Sequence, residues 1–130
     1  MKLYYSPGAC SLADHIALHE AGLSFDHVRV DLKTKTTEDG QDYTKVNPKG
    51  YVPALTLDNG QTITENIAIL DWITQQAPQL APQIGDLSRT RLLETLAYIS
   101  TELHKSFKPF FANADEETKR QAADQIGKRL

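Results

Sequence analysis

Apolar and polar positions follow two different periods along this chain. The run Lys2-Leu3-Tyr4-Tyr5 is short and largely apolar and predicts a first strand. Leu12, Ala13, Ile16 and Ala17 then recur at three- and four-residue spacing, which predicts a helix over 10–21, with Gly22 as its stop. Phe25 to Asp31 alternates like a second strand, with Val28 and Val30 on one face. From Leu32 to Asp42 there is no apolar period, so a polar loop is expected, with a turn at Asp39-Gly40. Val52 to Leu57 predicts a strand with a proline at its edge, Asp58-Asn59-Gly60 a hairpin turn, and Gln61 to Thr64 the returning strand. Ile67, Leu70 and Ile73, widened by Ile69 and Trp72, predict a helix over 65–76.

The resulting order makes the region 1–77 an α/β domain of β-α-β-β-β-α type. A helical crossover favours a parallel strand pair and the hairpin adds an antiparallel one. Helices on a mixed four-stranded sheet are the simplest closed arrangement. Pro78, Pro82 and Gly85 mark residues 78–85 as a linker. From Asp86 only the helical period remains. Leu92, Leu96, Ile99, Leu103 and Phe107 form one long apolar face, with Ala97, Thr101, His104, Lys105 and Lys108 on another. Pro109 is expected to bend or end that helix. A further helix opens at Asn113-Ala114-Asp115-Glu116-Glu117 and carries Ala122, Ile126 and Leu130. Residues 86–130 thus read as an all-α domain.

Composition narrows the function without naming it. The net charge of −3 argues against nucleic acid as a main partner, since phosphate binding needs a basic face. No run approaches the ~20 apolar residues of a membrane span, so no membrane partner is expected. A single cysteine allows no internal disulfide, and with no signal-like N-terminal segment this fits the cytoplasm. His15 and His19 are spaced four apart, but without an evident third ligand they read as a solvated face rather than a metal site.

The one cysteine is the candidate centre. Ser6-Pro7-Gly8 is turn chemistry, and Cys10 follows it where the helix begins. The first-turn N–H groups and the positive end of the helix dipole should ease ionisation of a thiol placed there. A buried cysteine packed as a small hydrophobe is the competing reading. A strand-turn-Cys-helix unit with Val-Pro opening a later strand is the plan of a thioredoxin-like fold. A dithiol protein of that fold would carry Cys-x-x-Cys, whereas Ala13 stands in the second position. Chemistry at Cys10 would need an external, small-molecule thiol.

Four blocks carry a resemblance. They are Tyr4-Tyr5-Ser6-Pro7-Gly8-Ala9-Cys10-Ser11-Leu12, Asn47-Pro48-Lys49-Gly50-Tyr51-Val52-Pro53-Ala54-Leu55, Thr64-Glu65-Asn66-Ile67-Ala68-Ile69 and Thr101-Glu102-Leu103-His104-Lys105. Together, and in this order, they resemble a bacterial beta-class glutathione S-transferase. The resemblance implies glutathione as co-substrate, no metal, a small hydrophobic electrophile as second substrate, and a homodimer. It assigns Cys10 to the glutathione sulfur, as a hydrogen-bond partner or in a mixed disulfide, and Lys35 to a glutathione carboxylate. It assigns Val52, before a cis proline, to the cysteinyl backbone, and Glu65 and Asn66 to the γ-glutamyl end. Thr101 and Glu102 belong to a stretch that contacts glutathione, and His104 to the substrate side. Cys10 and His104 are the implied catalytic residues. Ala97 departs from the family's frequent asparagine, so that contact should be missing or replaced. The family also continues through further helices, which leaves the helical domain incomplete here. Relatives of this fold that serve as non-catalytic interaction modules are the alternative.

Overall fold

A computed structural model describes residues 1–130, which divide into two compact units, Met1–Ala81 and Pro82–Leu130. No helix in either is long and apolar enough to cross a membrane.

In the first unit, β1 (Lys2–Tyr5) runs parallel to β2 (Asp26–Asp31), and the crossover between them is helix α1 (Ser11–Glu20). Two further pairings are antiparallel: β1 with β4 (Ala54–Thr56), and β4 with β5 (Thr62–Thr64). Helix α2 (Asn66–Gln76) follows directly. These are the four strands and two helices expected from the hydrophobic pattern, in a thioredoxin-like arrangement. The sheet also has a fifth, two-residue edge strand, β3 (Thr36–Thr37), inside the segment expected as loop. Its pairing with β2 gives the order β3-β2-β1-β4-β5. Two residues are too few to show an alternating pattern, so this strand exists only through its partner.

The pleat decides what each face carries. Leu3 and Leu55 point to one face and pack with Leu18 of α1 and Ile69 and Ile73 of α2 in a fully buried core. Tyr4, Ala54 and Val30 point to the other face and pack against Tyr43 and Val52. Both helices therefore cover one face, and the segment 43–52 covers the opposite one.

Helix α1 ends where Gly22 predicts. The Leu23 N–H donates to the Leu18 carbonyl at 3.1 Å and the Gly22 N–H to the His19 carbonyl at 3.0 Å, a Schellman closure. Gly22 has φ +66°, which a side chain would strain. Gly22→Ala should therefore destabilise the first unit by about 1 kcal/mol in urea denaturation. A loss below experimental error would show that the left-handed conformation at this position carries no cost for a side chain.

The second unit departs from the expected continuous helix. Helix α3 (Leu87–Tyr98) is capped by Asp86, whose Oδ1 accepts the Ser88 N–H at 2.8 Å. The chain then widens into a π-helical segment (Ile99–Leu103) and tightens into a 3₁₀ turn (His104–Phe107). Proline has no N–H for the Lys105 carbonyl, and the Lys108 N–H takes it instead, 3₁₀-fashion. Pro109 thus opens the short helix α4 (Lys108–Phe111) rather than closing the long one. Helix α5 (Glu116–Arg129) starts on an Asp115 cap, with the Thr118 N–H donating at 2.7 Å. Its Arg129 donates at 2.6 Å to the Glu102 carbonyl and at 2.6 Å to Ser106 Oγ, so α5 supplies donors where the helix is interrupted.

Candidate functional site

The turn before α1 sets the position of Cys10. The Ala9 N–H closes onto the Ser6 carbonyl at 3.1 Å, with Pro7 and Gly8 as central residues and Gly8 at φ +73°, the requirements of a type II turn. Buried Ser11 braces it from behind: its Oγ accepts the Ser6 N–H at 3.2 Å and donates to the Ser6 carbonyl at 3.4 Å. Cys10 occupies the N-cap of α1 and is only half-buried. Its thiol donates to the Val52 carbonyl at 3.5 Å. The Val52-Pro53 bond is cis, as the resemblance implies.

Val52 is held in place by a residue that the hydrophobic pattern did not single out. Fully buried Tyr43 donates its hydroxyl to the Tyr51 carbonyl at 2.8 Å, and Asn47 Nδ2 donates to the same oxygen at 2.7 Å. Burial pushes the Tyr43 phenol up to about 12, so it remains a donor at physiological pH. Its signal was faint: an aromatic residue four positions before the Asn47-Pro48 turn.

The N-terminus of α2 closes the other side. Glu65 is its N-cap and has φ +73°, a left-handed conformation uncommon outside glycine. Such strain concentrates where a ligand is held. The exposed Glu65 carboxylate pairs with Lys49 Nζ at 2.6 Å. Asn66 turns inward, its Nδ2 donating to the Cys10 carbonyl at 3.2 Å and to Asp14 Oδ2 at 2.8 Å. Lys35 lies on the neighbouring segment, with its ammonium on the Gly50 carbonyl at 2.8 Å and 5.5 Å from the centre of the Tyr51 ring. One donated proton leaves two for a ligand carboxylate.

Asp14 is the second residue not anticipated from the sequence. It is completely buried in the first turn of α1, and its Oδ1 has no hydrogen-bond partner. Burial pushes its carboxyl up to about 7, against the lowering contributed by the Asn66 amide.

The expectation that Cys10 ionises easily is overturned. Burial, and next the Asp14 carboxylate, push the Cys10 thiol above its ordinary range, with Glu65 acting in the same sense. The N–H groups of Cys10 and Ser11 oppose this without prevailing. Asp14→Asn should therefore lower the Cys10 pKa, measured from thiolate absorbance near 240 nm; an unchanged titration would exclude Asp14 as a cause.

The structure thus gathers Cys10, Val52 and Asn66, with Glu65 beside Asn66 and Lys35 on the segment preceding Val52. Thr101, Glu102 and His104 belong to the second unit. Thr101 Oγ1 donates to the Ala97 carbonyl at 3.0 Å, so the residue that departs from the family pattern still contributes its main chain to local structure. Glu102 pairs with Arg129 at 3.0 Å. His104 is exposed and lines a surface depression with Lys105, Lys108 and Phe111. His15 and His19 stack at 5.0 Å between ring centres and His15 also meets His27, yet no cluster of His, Cys, Asp or Glu is arranged to hold a metal ion.

Residues 9–76 match the family model described as glutathione S-transferase, N-terminal domain. The chain is 49% identical over 133 residues to "Glutathione S-transferase GstA" of Escherichia coli O157:H7, covering 100% of this chain and 66% of that protein. It is 42% identical over 116 residues to "Glutathione S-transferase GST-4.5" of Xanthomonas campestris pv. campestris, covering 87% of this chain and 54% of the relative. It therefore spans roughly half to two thirds of these relatives' length. Among solved structures, the ternary complex of BphK, a bacterial glutathione transferase, superposes with a TM-score of 0.94 at 53% identity, covering 100% of this chain and 66% of that one. A sphingomonad glutathione S-transferase complexed with glutathione gives 0.93 at 53% identity, covering 98% and 65%. A further match, at TM-score 0.93 and 51% identity, is a beta-class enzyme of Sphingomonas chungbukensis; it covers 98% of this chain and 65% of that one.

Proposed function

This chain belongs to the glutathione S-transferase family, and we propose that its first unit binds reduced glutathione beside Cys10, for conjugation of the glutathione thiol to a small hydrophobic electrophile. The observation that carries this reading is the convergence of Cys10, Val52 and Asn66 from three separate segments, with strained Glu65 beside them.

Each end of glutathione has a matching group. The N–H groups opening α2 lack intrahelical partners and favour the γ-glutamyl carboxylate. Glu65 takes the ammonium of the same end. The Val52 main chain pairs with the cysteinyl residue, and Lys35 takes the glycyl carboxylate with its remaining protons. The raised Cys10 pKa then gains a purpose. At neutral pH Cys10 stays protonated, and on glutathione binding its S–H turns from the Val52 carbonyl to the glutathione sulfur, favouring the thiolate there over the thiol. The glutathione thiol releases its proton to solvent, the thiolate attacks the electrophilic carbon, the carbon–sulfur bond forms and the leaving group departs with the displaced electron pair. His104, with Thr101 and Glu102, is assigned to the substrate side on the family resemblance. A cytoplasmic homodimer belongs to the same reading. A scaffold without catalysis would have no use for Cys10, Glu65 and His104 together.

The test is conjugation of a chromogenic aryl halide. A glutathione-dependent rate that saturates above the uncatalysed background supports the reading. A rate equal to background, with no heat of glutathione binding, would defeat it.

A further inference from the structure

The geometry points to Asp14 as a positioning residue of the glutathione site: it orients the Asn66 side-chain amide so that Oδ1 faces the ligand and accepts from the γ-glutamyl ammonium. This rests on the proposed glutathione site and adds a residue to it.

The argument starts from the chemistry of the amide. Its two ends are opposite in kind, Nδ2 donating and Oδ1 accepting. Asn66 faces two inward groups, the Cys10 carbonyl at 3.2 Å and Asp14 Oδ2 at 2.8 Å. Both are acceptors, so only the nitrogen end can point inward. The shorter of the two contacts is the one to Asp14. Asn66 Oδ1 has no partner within the chain and is not among the enclosed polar atoms, so it is presented outward at the start of α2. An outward acceptor selects a donor. At the γ-glutamyl end of glutathione that donor is the ammonium, while the carboxylate is left to the main-chain N–H groups of α2.

The cost of keeping Asp14 supports a role. A carboxyl group that is completely buried with one oxygen unpartnered is expensive. Its side chain accepts from Asn66, 52 positions away, and α1 and α2 already pack through the apolar core without it. Asp14 reaches no ligand itself and acts only through the amide. Its acceptor Oδ2 serves whether or not the carboxyl is protonated, so the orientation does not depend on ionisation.

The test compares two ligands on the whole chain by calorimetry: reduced glutathione, and an analogue whose α-ammonium is replaced by hydrogen. The unmodified chain should bind glutathione more tightly than the analogue. Asp14→Leu removes the acceptor while keeping the same branching of heavy atoms, and should shrink that ratio about tenfold, the equivalent of one hydrogen bond to a charged group, while analogue affinity stays the same. Asp14→Asn keeps an acceptor oxygen and should retain the ratio. Asn66→Ala should shrink it as Asp14→Leu does, and Asp14→Ala supplies the same readout if the leucine variant does not fold. An Asp14→Leu protein that weakens both ligands equally, or keeps full discrimination, overturns the assignment while leaving the glutathione site intact. An unmodified chain that binds neither ligand overturns the site itself.

Discussion

Asp14→Asn is expected to stabilise this chain at pH 8 by several kcal/mol and to change it by less than about 1 kcal/mol at pH 4. The sign follows from linkage. The carboxyl of Asp14 is pushed from 3.8 up to about 7 by burial in the folded chain. Below the unfolded value both states hold the proton and no ionisation penalty is felt through this group. As pH rises through about 4 to 7 the unfolded chain releases its proton while the folded chain retains it, so stability falls across that window. Above it the penalty is complete, on the order of 4 kcal/mol at 1.36 kcal/mol per unit. Asparagine carries no such charge, so its advantage grows with pH. Urea denaturation of both proteins at pH 4 and pH 8 measures it. An equal difference at the two pH values would show that Asp14 ionises as freely folded as unfolded.

The second large effect is all-or-none. Oxidised glutathione should convert Cys10 to a mixed disulfide, and Cys10→Ala should carry no adduct by intact-mass spectrometry. The Cys10 thiolate attacks one sulfur of the glutathione disulfide. A new Cys10–glutathione S–S bond forms, the old one breaks and one glutathione thiolate leaves. Because burial and Asp14 hold the thiol above its ordinary range, the reaction should accelerate from pH 7 to pH 9. Cys10 is the only cysteine, so an adduct surviving in Cys10→Ala would place the chemistry on another residue.

The legibility of the chain depended on how local each signal was. The strand 2–5, Gly22 as a helix stop and the Asp58-Asn59-Gly60 hairpin are written in neighbouring residues, and the structure carries each of them. The short strand at Thr36–Thr37 and the buried Tyr43 are fixed by pairing and burial from outside their own segment. The break of the second-unit helix was masked because the apolar spacing from Leu92 to Phe107 runs straight through it. A widened turn shifts the hydrogen-bond ladder without leaving a trace in that spacing.

The site divides in the same way. The position of Cys10 after a Pro-Gly turn was readable, but its ionisation was not. The helix terminus alone argued for an easy thiolate, whereas the answer came from desolvation and from Asp14, four residues on. An aspartate in the first turn of a helix looks like an ordinary partner of the helix dipole. Only the approach of Asn66 and complete burial make it a part of the site.

The most direct test of the proposed site is a glutathione titration followed by backbone amide shifts in nuclear magnetic resonance. Saturable shifts largest at Cys10, Val52, Glu65 and Asn66 are predicted. No saturable shift at millimolar glutathione, or shifts centred instead on the β2–β3 edge around Arg29 and Lys33, would contradict it.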